Sequence, residues 1–94
     1  MMSLEALVAK YITSAEKVLC EMQRTPGSVT VDAENVDRLL EYVSAYLDDA
    51  KYYKAQKKLE TSLTSVAYCE GLLDALRLLG AVKFEWPEKP VSEK

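Results

Sequence analysis

The segment Ser28–Glu70 reads SVTVDAENVDRLLEYVSAYLDDAKYYKAQKKLETSLTSVAYCE and contains neither glycine nor proline. A stretch of this length without the two residues that most often end helices predicts long helices. Within it, apolar side chains recur at spacings of three and four residues, the pattern of an amphipathic helix. The stripe of this helix consists of Val36, Leu39, Leu40, Val43, Tyr46, Leu47, Ala50 and Tyr53. Asp32 precedes the stripe and is predicted to cap the helix, because its carboxylate can accept hydrogen bonds from the free amides of the first turn.

The apolar pattern changes phase inside this segment. Continuing the stripe beyond Tyr53 would require apolar residues where the sequence has lysine and threonine, whereas apolar spacing resumes out of phase at Leu59, Leu63 and Val66. We therefore predict a tight turn within Ala55–Glu60 and a third helix after it. The alternative is one uninterrupted helix of more than ~40 residues, which is long for a globular protein.

The other helix boundaries follow from the flanking sequence. Residues 3–23 predict a first helix whose apolar side chains share one face. These side chains are Leu4, Leu7, Val8, Tyr11, Ile12, Ala15, Val18, Leu19 and Met22. The tripeptide Thr25-Pro26-Gly27 ends this helix, and the third helix is predicted to run to Leu79 with Gly80 as its left-handed cap. The sequence thus predicts an all-α fold, an antiparallel bundle of three helices over residues 1–80 with an extended C-terminal tail.

Residues 81–94 form the predicted tail, which we assign to the same single domain. Val82, Phe84 and Trp86 alternate with other residues before Pro87, and a period of two is typical of an extended segment with one apolar side. Two interpretations of the tail remain open. Phe84 and Trp86 either fold back into a groove of the bundle or dock onto a partner protein.

The third helix carries a stripe of small residues, Ala67, Gly71 and Ala75, each four positions after the previous one. Glycine inside a helix costs ~1 kcal/mol relative to alanine, so Gly71 indicates that another backbone packs closely at this point. The first helix of the same chain is one candidate for the contact. A second copy of the chain is the other, because a helix with two apolar faces often buries the second face by association.

Charged side chains lie near the margin of the apolar face on the same helix. Glu70 and Asp74 alone specify little as a metal or ligand site, because two carboxylates need further ligands to hold an ion. Asp74 and Arg77 are three residues apart in the sequence. The simplest prediction for them is an ion pair on the helix surface.

A change of charge separates the acidic second helix from the lysines that follow it. Lys51, Lys54 and Lys58 are predicted to share a face beside Tyr52 and Tyr53, a candidate anion patch that could hold phosphates or single-stranded nucleic acid. The whole chain, however, has a net charge of −3 and a pI ≈ 4.9. It therefore lacks an overall field that attracts polyanions, which argues against a nucleic-acid partner.

The composition excludes the common catalytic sets. The chain has no histidine and two cysteines, Cys20 and Cys69, so the usual zinc sites, Ser-His-Asp triads and Cys-His dyads cannot be assembled from it. We expect no enzyme activity, no cofactor and no metal. The N-terminal residues do not read as a secretory signal, and no apolar run approaches the ~18 residues of a membrane span. We therefore expect a cytoplasmic protein without a membrane partner, whose two thiols are reduced and buried.

The run Ala45–Tyr53, AYLDDAKYY, and the run Ser65–Gly80, SVAYCEGLLDALRLLG, resemble the archaeal domain-of-unknown-function family 357. The matching positions are Tyr46, Asp49, Ala50, Tyr52, Tyr53, Tyr68, Gly71, Leu73, Asp74, Ala75, Arg77 and Gly80. The chain departs from the family pattern in two places. The second turn reads Ala55-Gln56-Lys57-Lys58 where the family often has a glycine, and Tyr68 is followed by Cys69 rather than alanine.

The resemblance implies a small helical protein with no assigned activity, sometimes joined to a nucleotidyltransferase-like domain. It carries over no catalytic residue, but it supports a candidate interaction or ligand cluster. The members of this cluster are Tyr68, Gly71, Asp74 and Arg77. We predict a non-catalytic protein-interaction or oligomerisation module, with a homodimer as one form. The alternative is an accessory domain that handles nucleotides or nucleic acids beside a nucleotidyltransferase-like partner, through the lysines of the anion patch.

Overall fold

The computed structural model describes residues 3–87, which form three α-helices and no β-strand. The helices are α1 (Leu4–Glu21), α2 (Ala33–Ala55) and α3 (Leu59–Leu78). Helices α2 and α3 pack together closely, and the short turn between them makes the pair an antiparallel hairpin. The all-α class and the three helices are thereby confirmed. The part of the predicted tail at residues 88–94 lies outside the described residues.

The first two helices begin close to their predicted starts. Ser3 caps α1, because its hydroxyl accepts a 3.1 Å hydrogen bond from the backbone N–H of Ala6. Asp32 is the residue that precedes α2, as predicted, but its carboxylate makes no hydrogen bond to the first turn. Only its backbone carbonyl accepts hydrogen bonds there, from Asn35 and Val36. The predicted side-chain cap is therefore wrong, and the amides of this surface turn are left to water.

The turn between α2 and α3 spans Gln56–Lys58 and excludes a single uninterrupted helix. The N–H of Lys57 donates to the carbonyl of Lys54 at 3.0 Å, and the N–H of Lys58 donates to that of Tyr53 at 2.9 Å. These two bonds form a Schellman motif, which uses a left-handed residue just after the helix. Lys57 takes that conformation with a φ of 66°, at a position where glycine would have no steric penalty.

Helix α3 also ends in a Schellman motif, and here the left-handed position is occupied by glycine, the residue that favours it. Gly80 has a φ of 80°, and its N–H donates to the carbonyl of Arg77 at 3.0 Å. The N–H of Ala81 donates to the carbonyl of Leu76 at 2.9 Å. The predicted left-handed cap at Gly80 is confirmed, and it reverses the chain so that the tail can return along α3.

The core of the α2–α3 hairpin is small. Its buried members are Val43, Ala50, Cys69 and Leu76, of which Leu76 has no exposed surface. Near the turn, the hydroxyl of Ser62 donates a 2.7 Å hydrogen bond to the carbonyl of Ala50 and joins the two helices directly. The small side chains at this contact allow the two helix axes to approach closely.

The inner face of α3 differs from the predicted one at the first two leucines, whereas Val66 is half-buried as predicted. The spacing predicts Leu59 and Leu63 on the inner face, but these side chains are 63% and 68% exposed. Ser62, Ser65 and Cys69 are instead half-buried or buried. The reason is close packing: small side chains let α3 approach α2, whereas a face centred on the two leucines would hold the helices apart.

Helix α1 stands apart from the hairpin. Within residues 3–87, no Cα atom of α1 lies within 8 Å of a Cα atom of α2 or α3. The linker 22–32 carries α1 away, with extended backbone at Met22 and Asp32 where the ψ angles are 151° and 143°. The Cα radius of gyration is accordingly 16.2 Å, against about 12 Å for a compact chain of this length.

The separation of α1 removes one of the two contacts that Gly71 predicts. In the described part of the chain, apart from the adjacent residues and the helix's own backbone, no atom lies within 4 Å of the position that a Cβ on Gly71 would occupy. The first helix of the same chain is therefore not packed against this glycine. A sequence pattern can indicate that a surface needs a close neighbour, but it does not indicate which chain provides that neighbour.

Candidate interaction surface

The first uncovered apolar face belongs to α1, and we name it the α1 stripe. Its members are Leu4, Leu7, Val8, Tyr11, Ile12, Ala15, Val18, Leu19 and the adjoining Met22. Apart from Leu7, which is half-buried, its large side chains are at least half exposed, and Leu19 reaches 67%. The helical repeat places all nine on one side, because they recur at spacings of three and four residues. The stripe runs along the whole of α1.

The second uncovered face is the side of α3 that points away from α2, named here the outer face of α3. Its members are Leu63, Ala67, Gly71, Ala75 and Leu78, all of them exposed. Leu78 is 77% exposed. The three small residues lie between leucines at the two ends, and the space over Gly71 is open. A helix that is apolar on both its inner and outer sides is normally covered on both.

The four residues of the predicted cluster do not converge on one site. Tyr68 packs edge-to-face against Tyr46 of α2, with ring centroids 4.5 Å apart. Asp74 and Arg77 form the expected ion pair at 3.5 Å, on the side of α3 where the tail returns. Gly71 lies between these two environments and faces open space. The four residues therefore lie in three separate environments: a tyrosine contact with α2, an ion pair beside the tail, and the outer face of α3.

The described part of the tail folds back on α3. The indole N–H of Trp86 donates a 2.7 Å hydrogen bond to Oδ1 of Asp74, and the guanidinium of Arg77 lies 5.7 Å from the ring centroid of Phe84. The Phe84 side chain is half-buried. Of the two interpretations, the structure agrees with the first: Phe84 and Trp86 contact α3 of their own chain.

The candidate anion patch is divided by the turn. Lys51 and Lys54 belong to the last turns of α2, whereas Lys58 is the residue that precedes α3. The three lysines are exposed, but they do not share one helix face as predicted, because α2 ends at Ala55 and Lys58 lies beyond that end. Tyr52 packs against Tyr53 beside them, so the aromatic rings are partly engaged with each other.

The two thiols have opposite environments. Cys69 is buried, and burial raises the pKa of its thiol, with a further rise from the neighbouring carboxylate of Glu70. Cys20 is exposed, so the prediction that both thiols are buried is wrong for this residue. The helical repeat explains the error: Cys20 follows Glu16 by one turn and lies on the polar side of α1, although its neighbour in sequence is Leu19.

Among the residues that the structure describes, no group of three or more cysteine, aspartate and glutamate side chains is placed to hold a metal ion. None of the helices in that part of the chain has both the length and the apolar content needed to cross a bilayer.

Sequence reasoning places the α1 stripe in the core of a bundle and so does not identify it as an interaction surface. Leu63 and Leu78 are missed for the same reason, since large apolar side chains are usually assigned to the interior. One signal is available in the sequence: Leu78 follows Gly71 by seven residues, which places it on the small-residue side of α3.

Comparison with protein families identifies the chain over most of its length. A family model described as "Protein of unknown function (DUF357)" matches residues 10–82. The match covers α2, α3 and most of α1, and it confirms the resemblance carried by the two runs around Tyr46 and Gly71. Searches among curated proteins and among solved structures find no match.

Proposed function

The chain belongs to the DUF357 family, and from its uncovered faces we propose that it is a non-catalytic protein-interaction or oligomerisation module. The α1 stripe is the observation that carries this proposal. Soluble monomers rarely expose contiguous apolar patches larger than a few hundred Å² unless the patch binds something. In the described chain the stripe runs along the whole of α1 and no other element covers it.

Contact with a partner would stabilise α1 in two ways. Burial of a Val, Leu or Ile side chain contributes about 1.5–3 kcal/mol, which an uncovered α1 does not gain. In addition, α1 has 18 residues, and a helix of this size draws most of its stability from the packing of its apolar face. An interaction role therefore explains why a sequence would keep both the stripe and the helix.

The ionisable side chains also support binding over catalysis. The chain has no histidine, and the carboxylate of Asp74 is occupied by Trp86 and Arg77. The raised pKa of Cys69 keeps its thiol protonated, whereas a nucleophilic cysteine needs a lowered pKa and access to solvent. We also propose a cytoplasmic location, which the two free thiols support.

The proposal is tested by adding one charge to the α1 stripe. Tyr11→Arg places a cation in the middle of the stripe, and Thr13→Arg places the same cation on the opposite side of α1 as a matched control. The measurements are the mass of the purified protein in solution and the proteins captured by each variant from extracts of the source cells. We expect association, with itself or with another protein, to be lost in Tyr11→Arg and kept in Thr13→Arg.

The proposal fails under one clear outcome. If the wild-type chain is monomeric, and the two arginine variants capture the same proteins in the same amounts, the α1 stripe binds nothing. Circular dichroism of both variants should show a folded α2–α3 hairpin, because neither substitution lies in that hairpin, and loss of association would then report on the stripe alone.

A second proposal is an accessory role in nucleotide or nucleic-acid handling beside a nucleotidyltransferase-like partner. One observation supports it: Lys51, Lys54 and Lys58 are exposed around a single turn, next to Tyr52. The test is a titration with ATP and with a short single-stranded RNA at several salt concentrations. Binding that weakens with salt and is lost when the three lysines are changed to glutamine would support this role, and no binding would remove it.

A further inference from the structure

We draw no further inference here: the strongest candidate, the uncovered apolar surface of the α1 stripe, carries none because nothing in the described residues 3–87 shows what covers it.

Discussion

The indole N–H of Trp86 donates a 2.7 Å hydrogen bond to Oδ1 of Asp74, twelve residues earlier on α3. The same oxygen accepts a 3.5 Å hydrogen bond from Nη2 of Arg77. The guanidinium of Arg77 in turn faces the ring of Phe84. Phe84 in turn packs edge-to-face against Trp86, with centroids 4.9 Å apart. These four side chains form a closed loop of contacts. The loop explains why the described tail lies on α3, although the tail has no regular structure of its own.

The first prediction concerns this loop. Asp74→Ala removes the acceptor shared by Trp86 and Arg77, so we expect the tail to detach and the free energy of unfolding to fall by about 1 kcal/mol. The chain contains a single tryptophan, so its fluorescence reports on the tail directly. We expect a red shift of the emission in Asp74→Ala and none in the control Glu70→Ala. Equal emission spectra from the two variants would contradict the prediction.

The second prediction concerns the left-handed residue in the turn between α2 and α3. A non-glycine residue in this conformation costs roughly 1–2 kcal/mol, and Lys57 has a φ of 66°. Replacement by glycine relieves that cost but adds freedom to the unfolded chain. We expect Lys57→Gly to raise the free energy of unfolding by about 0.5–1 kcal/mol, measured by urea denaturation.

The control for that prediction lies three residues earlier. Lys54→Gly introduces the same glycine within α2, where it should lower the free energy of unfolding by up to ~1 kcal/mol. Opposite signs for the two variants would show that the left-handed position is at 57. Destabilisation by both would mean that the strain inferred from the φ angle is absent.

The third prediction separates the two thiols. Cys20 is exposed on the polar side of α1, whereas Cys69 is buried with a raised pKa. In native protein at neutral pH, we expect a thiol reagent to modify the Cys69→Ser variant rapidly, through Cys20, and the Cys20→Ser variant slowly, through Cys69. Equal rates for the two variants would contradict the described burial of Cys69.

The raised pKa of Cys69 also predicts a pH dependence of stability. Folding favours the protonated thiol, so its contribution is complete below the unfolded pKa and is lost as pH rises through the higher folded value. The usual pKa is 9.0, and the loss should begin above it. We expect the free energy of unfolding to fall with pH in that range more steeply for the wild type than for Cys69→Ala. Parallel pH profiles would contradict this prediction.

Local features of the fold are predictable because they depend on residues near in sequence. The break between α2 and α3 follows from a change in apolar phase near Leu59, and the end of α3 follows from Gly80. The left-handed conformation of Lys57 is not predictable in the same way, since lysine has no preference for it. Tertiary packing of the hairpin imposes that conformation on whichever residue occupies the position.

The position of α1 lies beyond what apolar spacing can predict. The apolar spacing indicates that the α1 stripe should be buried against another surface. A groove on the same chain and a groove on another chain would bury it equally well. The same limit applies to Gly71, whose place in α3 predicts a close neighbour without identifying it. The exposure of Cys20, by contrast, can be predicted from the sequence. The helical repeat places Cys20 on the polar side of α1, although the adjacent Leu19 lies on the apolar side.

The last prediction uses Gly71 to decide whether the outer face of α3 is covered in solution. In a single chain the space over Gly71 is open, so Gly71→Leu should raise the free energy of unfolding by somewhat under ~1 kcal/mol through helix propensity. In a dimer that buried this face, the leucine would be forced into a packed contact, which typically costs ~1–3 kcal/mol. The two effects have opposite signs and can be measured in the same variant.

The two effects of Gly71→Leu separate with protein concentration. At concentrations low enough for the chain to be monomeric, urea denaturation should show a variant slightly more stable than the wild type. At high concentration, sedimentation should show weaker association, and the variant should lose the concentration-dependent rise in melting temperature that a dimer displays. Gly71→Ala serves as the control, since it supplies most of the propensity gain with far less bulk. If Gly71→Leu is more stable at every concentration and associates like the wild type, the outer face of α3 is not covered by a second chain.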